Sequence, residues 1–128
     1  MNLRAPRRPW SADDLRYLDE SRELEIAAPR ATGERGRWTP IWVVVAGDEV
    51  FVRTWQRRTT GWYGGAVRSG RAWIQVAGRS VDVIVEVRGD ADVAAVDAAY
   101  RAKYGAAGAQ SMVAAEAAAS TLRLTQMT

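Results

Sequence analysis

Pro40-Ile41-Trp42-Val43-Val44-Val45-Ala46, then Gly47-Asp48, then Glu49-Val50-Phe51-Val52-Arg53-Thr54-Trp55 is the stretch that decides the fold. Two runs rich in β-branched and aromatic residues flank a turn-forming pair, the pattern of a β-hairpin closed by a tight II′ turn. The first run is apolar on both faces, so it belongs at the centre of a sheet or in a barrel wall that is covered outside. The second run carries Arg53 on the same face as Phe51 and Trp55, and a charge on an aromatic face calls for a partner.

The flanking sequence supplies the rest of one domain. Residues 1–9 read as a basic, proline-containing tail, expected to be disordered, and residues 10–128 as a single domain. Ser11 caps a helix that runs to about Leu18 or Asp19, with Asp14 in the capping-box position and Trp10 and Leu15 placed as a hydrophobic staple. Glu23 to Ala28 alternates like a half-exposed strand, and Pro29 ends it. A short helix is expected over Trp62 to Ser69. A second hairpin follows: Arg71 to Ala77, a turn at Gly78-Arg79, and Ser80 to Arg88, with Val81, Val83, Val85 and Val87 on one face. A helix from Asp90 or Asp92 to Tyr104, another over Ser111 to Ala118, and a short strand at Thr121 to Thr125 complete the chain. Hairpin-linked antiparallel strands with peripheral helices define a small, partly open β-barrel of the α+β class.

Charge is concentrated. Between Glu49 and Asp82 lie six arginines (Arg53, Arg57, Arg58, Arg68, Arg71, Arg79) and no acidic residue, so this window carries +6 while the whole chain is only +3. Trp55, Trp62, Tyr63 and Trp73 are interleaved with them. Guanidinium groups match phosphate and carboxylate oxygens, and the aromatics offer faces for a flat ring. The window therefore points to a phosphorylated or polyanionic planar ligand. Bland readings stand beside this one. Arg53 could stack on Trp55 or pair with a carboxylate such as Glu49; Arg57, Arg58, Arg68, Arg71 and Arg79 could be solvated surface charges; and the tryptophans could simply be packing.

The chain has no Cys and no His. That excludes disulfides, thiolate nucleophiles, zinc–thiolate sites and haem held by His or Cys, and it removes the commonest general base at neutral pH. No metal and no haem is the expectation. Redox or group-transfer chemistry would have to come from carboxylates, hydroxyls, Lys103 or a bound organic cofactor. No apolar run is long enough to span a bilayer and residues 1–9 lack a signal-peptide core, so a soluble cytoplasmic protein without membrane association is expected.

Four segments in this order carry a resemblance: Trp10-Ser11 opening the first helix, Ile41 to Val44, Phe51 to Trp55, and Gly61-Trp62-Tyr63; Thr121 to Leu124 also fits. Over roughly residues 10–125 the chain resembles the small bacterial family catalogued as domain of unknown function 2255. More broadly, it is similar to the split β-barrel group of pyridoxamine-phosphate-oxidase-like flavoproteins and deazaflavin-dependent nitroreductases. The resemblance implies a homodimer and an FMN or deazaflavin cofactor in a groove, with a small-molecule substrate. By position it assigns cofactor binding to Arg53, Arg57, Arg58 and Trp62. Those relatives usually have an Asn shortly after the Trp-Tyr pair, whereas this chain has Gly64-Gly65-Ala66.

Three functions follow as expectations. The first is a flavin-type cofactor binder, possible as an oxidoreductase because the cofactor itself would carry the hydride. The second is single-stranded nucleic-acid binding, since a small barrel with arginines beside aromatics meets the needs of base stacking and phosphate contact. The third is a non-catalytic dimer with a degenerate pocket, to which Gly64-Gly65 points.

Overall fold

The computed structural model describes residues 7–54, 61–89 and 91–127. Eight strands form one antiparallel sheet: β1 (Arg7–Arg8), β2 (Leu24–Ala27), β3 (Thr39–Ile41), β4 (Val44–Ala46), β5 (Glu49–Val52), β6 (Arg71–Val76), β7 (Arg79–Val87) and β8 (Leu122–Met127). Five helices among the described residues accompany it: α1 (Ala12–Glu20), α2 (Gly61–Ser69), α3 (Val93–Tyr104), α4 (Gln110–Val113) and α5 (Ala115–Ala119). The sheet runs β3-β2-β6-β7-β8-β5-β4, with β1 added to β8. Its two ends, β3 and β4, are joined by only Trp42 and Val43. A sheet whose edges are tied by two residues must curl on itself, and this chain does so as a split β-barrel.

The expectation of one strand over Pro40 to Ala46 is therefore corrected. β3 pairs with β2 (Leu24↔Ile41) and β4 with β5 (Val44↔Phe51), so the run turns a corner at Trp42-Val43 and serves both edges of the barrel. The apolar character of both faces has a cause as well. Val43, Val50, Val52, Leu122 and Leu124 join the barrel's interior cluster, while Val44 and Phe51 face outward into a second cluster with Val96, Tyr100, Ala109, Met112 and Ala117. The helices α3–α5 cover the β4–β5 wall from outside.

Local signals fix the remaining elements. Ser11 Oγ accepts from the Asp14 amide at 3.0 Å and caps α1, and Trp10 is buried, with its indole N–H donating to the Leu124 carbonyl at 3.0 Å. Arg7 and Arg8, assigned by sequence to the tail, pair with Met127 and Gln126 of β8, because Trp10 anchors the chain alongside that strand. On β7, Val81, Val83 and Val85 are buried as expected. Val87 is 60 % exposed, since it stands at the last paired position, opposite Leu122.

The helix expected over Ser111 to Ala118 is two short ones, broken at Ala114, whose ψ of 153° is extended. The break leaves the Met112 carbonyl free to accept from Arg53 Nη1 at 2.8 Å. The second hairpin turns one residue earlier than expected, at Ala77-Gly78, with φ of 51° and 80° at the two positions. Two positive φ values define a I′-type turn, in which a Cβ at the first position is strained and Asn is favoured. Ala77→Asn is expected to raise stability by about 0.5–1 kcal/mol in urea unfolding; a lowered midpoint would contradict this turn geometry.

Candidate functional site

At the corner where β3 passes into β4, the curled sheet leaves a cleft of about 470 Å³ between the edge strand, α2 and α4. Ile41 and Trp42 form one wall and Trp62 and Met112 another, with Arg53 and Thr54 also contributing. Each wall has a local origin. Trp42 leaves the ladder at the corner and stacks face to face on Tyr104 of α3, with centroids 4.0 Å apart and planes at 6°. The Tyr104 hydroxyl donates to the Arg22 carbonyl at 2.8 Å. Trp62, in the first turn of α2, meets Tyr63 edge-on at 5.5 Å and stays half-buried. Tyr63 itself is buried, its hydroxyl donating to the Ser120 carbonyl at 2.9 Å, so it belongs to the core and not to the cleft.

Two of the four residues expected at the site, Arg53 and Trp62, thus line one cleft. Arg57 and Arg58 lie outside the described residues. Arg53 is 1 % exposed and also has a structural role. Its Nη1 donates to Asp97 Oδ1 at 2.5 Å and to the Met112 carbonyl, its Nε donates to Thr121 Oγ1 at 2.8 Å, and its guanidinium lies 5.5 Å from the Tyr100 ring centroid. The carboxylate partner is therefore Asp97 of α3 and not Glu49, which pairs with Arg123 at 3.1 Å. The third nitrogen, Nη2, is buried without a hydrogen-bond partner among the described residues. A buried, unused cationic donor on a residue that lines a cleft is the feature most in need of a ligand.

Lys103 braces the same corner. Its ammonium donates to the Val43 carbonyl at 2.7 Å and to the Leu18 carbonyl at 2.9 Å, tying the β3–β4 corner to α1 and α3. Burial pulls its pKa down from 10.5 to about 8, with Asp19 opposing the shift. The folded chain therefore binds fewer protons than the unfolded chain between pH 8 and 10.5, and stability must rise with pH across that window. Burial raises the pKa of Tyr100 and Tyr104, so their opposing contribution begins only near pH 10, where an unfolded tyrosine ionises. The urea midpoint is expected to increase from pH 8 to pH 9.5, and Lys103→Met to flatten that slope. Parallel profiles for the two proteins would contradict it.

The Gly64-Gly65 pair, read from sequence as the loss of a polar contact, has a packing cause at its second position. A Cβ on Gly65 would lie 2.9 Å from the Pro29 carbonyl oxygen and 3.1 Å from Ala28 Cβ. Helix α2 crosses the chain after β2 so closely that no side chain fits. Trp42, Thr54 and Met112 were missed by sequence reasoning, and no local signal in Ile41 to Val45 marks Trp42 as the residue that leaves the ladder.

The fold and this corner cleft define a split β-barrel. The chain belongs to the bacterial family described as uncharacterized proteins conserved in bacteria (DUF2255), whose sequence model matches residues 14–124. No curated protein matches the chain in sequence. Among solved structures, a conserved hypothetical protein from Mycobacterium tuberculosis aligns with a TM-score of 0.65 at 17% identity, covering 98% of this chain and 84% of that one. A FAD-binding protein from Mesorhizobium loti aligns with a TM-score of 0.59 at 15% identity, covering 94% and 91%. A heme binding protein from Mycobacterium smegmatis aligns with a TM-score of 0.60 at 15% identity; the match covers 94% of this chain but 51% of that one. These likenesses establish the fold. Among the described residues no helix is long and apolar enough to cross a membrane, and no cluster of three or more acidic side chains could hold a metal.

Proposed function

We propose that the corner cleft binds the planar ring of a flavin-type cofactor, FMN or a deazaflavin coenzyme. The observation that carries this reading is the buried Nη2 of Arg53, without a hydrogen-bond partner among the described residues, on a residue lining the same cleft as Trp42 and Trp62. Residues far apart in sequence converge there: an aromatic face from the β3–β4 corner, a second from α2, and a guanidinium held rigid by Asp97. The volume of about 470 Å³ falls in the range of small-molecule sites. When bound, such a cofactor supplies hydride transfer. The chain's own part is to bind, orient and exclude water, which suits a sequence without His or Cys. The FAD-binding neighbour supports the reading through a shared fold.

The heme binding neighbour stands against a blanket exclusion of haem, and Met112 in the cleft is a side chain able to ligate iron. The flavin reading is favoured because a guanidinium donor answers an anionic or carbonyl oxygen and not a metal. A homodimer and an oxidoreductase activity extend the same reading. Calorimetric titration with FMN, the deazaflavin coenzyme and haem tests it. One flavin bound per chain is expected, and binding of haem alone would sink the proposal.

A further inference from the structure

A second cleft, of about 340 Å³, adjoins the first and shares Thr39 and Trp62 with it. Its character is different. Arg30 and Arg37 reach it from the segment between β2 and β3, and Arg68 from the end of α2, while no carboxylate among the described residues lines it. None of these three arginines forms an ion pair with a described residue. Seven other described arginines, Arg7, Arg16, Arg53, Arg71, Arg79, Arg88 and Arg123, have carboxylate partners. Three unpaired guanidinium groups at one cleft make a concentrated positive field.

The backbone is built to keep them there. Gly36 and Gly65 allow the segment and the helix to pack against Ala28 and Pro29; a Cβ on Gly36 would lie 2.8 Å from the Ala28 carbonyl oxygen. Arg68 folds back along α2, with Nη2 3.8 Å from the place of a Gly65 Cβ. Gly61, at the positive end of the α2 dipole, lines the same cleft. The close approach of helix and segment therefore sets the spacing of the three arginines.

We propose that Arg30, Arg37 and Arg68 form a phosphate-binding site at the end of the aromatic cleft, with Trp62 at the junction. The groove then recognises a ligand with a planar ring at one end and a phosphate or diphosphate at the other. The ring half rests on the cofactor reading above; the phosphate half rests on the arginines alone. Guanidinium groups bind such oxyanions in bidentate fashion, and the absence of a lining carboxylate leaves nothing to compete.

The test compares wild type with the combined Arg30→Ala, Arg37→Ala and Arg68→Ala variant, using riboflavin, FMN and inorganic pyrophosphate as titrants at one fixed ionic strength. All three side chains are exposed, so the unfolding midpoint should hold; single replacements serve if it does not. Wild type is expected to bind FMN about tenfold or more tighter than riboflavin, in the range of charged hydrogen bonds. The variant should lose most of that margin while its riboflavin affinity stays unchanged. An undiminished margin in the variant would overturn the site. If neither flavin binds wild type, the ring reading fails and pyrophosphate decides: saturable binding that the variant loses supports the phosphate site, and no binding refutes it.

Discussion

Asp97→Ala should lower the unfolding free energy by about 3–5 kcal/mol, the usual cost of removing one partner of a buried ion pair. The size follows from where the charge would be left. Arg53 has a fully buried side chain, and Asp97 is its single carboxylate partner among the described residues, at 2.5 Å. Without Asp97 the guanidinium would keep Thr121 Oγ1 and the Met112 carbonyl, both neutral acceptors. These cannot offset the loss of water around a full positive charge. The combined Arg53→Met and Asp97→Leu variant should recover much of the loss, because an apolar pair needs no partner. Urea unfolding of the two variants separates the cases; a cost below about 1 kcal/mol for Asp97→Ala would mean that water reaches the pair.

Trp62→Ala should weaken flavin binding about ten- to a hundredfold, corresponding to the ~1–3 kcal/mol of stacking a ring on an aromatic side chain. Trp62 is a cleaner probe than Arg53, whose removal would disturb ligand and core together. Its indole is half-buried and packs at the margin of the barrel cluster, so the fold should survive its loss. Trp73 on β6 is the control: it does not line the cleft, and its replacement should leave affinity unchanged. Equal affinities for wild type and Trp62→Ala would remove Trp62 from the site.

The fold was legible where the chain obeys local rules. Ser11 caps its helix, Gly47-Asp48 turns its hairpin, and alternating valines mark the buried face of β7. Two features escaped because their causes are long-range. Nothing local in Ile41 to Val45 tells a straight strand from one that bends to join both edges of a barrel; the bend depends on pairing with β2 on one side and β5 on the other. The break in the last helix goes with Arg53 taking the Met112 carbonyl, a contact between positions 59 apart in the chain. At the site, the oddity of Arg53 beside Phe51 was visible. Its partner Asp97 was not, since an acidic residue within a surface helix looks like any solvated one.

Arg68 is exposed, as its sequence reading had it, but its place in the fold was not legible. As one of several arginines in a basic window it read as a surface charge. Only the packing of α2 against Pro29, permitted by Gly65, brings it to the same cleft as Arg30 and Arg37.

The most direct test of the central claim is to follow the tryptophan indole N–H resonances, assigned by single substitutions, as FMN is added. Occupation of the corner cleft should shift or broaden the signals of Trp42 and Trp62. Trp10, which is buried against Leu124, and Trp73 should stay in place. Perturbation confined to Trp10 or Trp73, or no change at Trp42 and Trp62 at saturating FMN, would contradict the account.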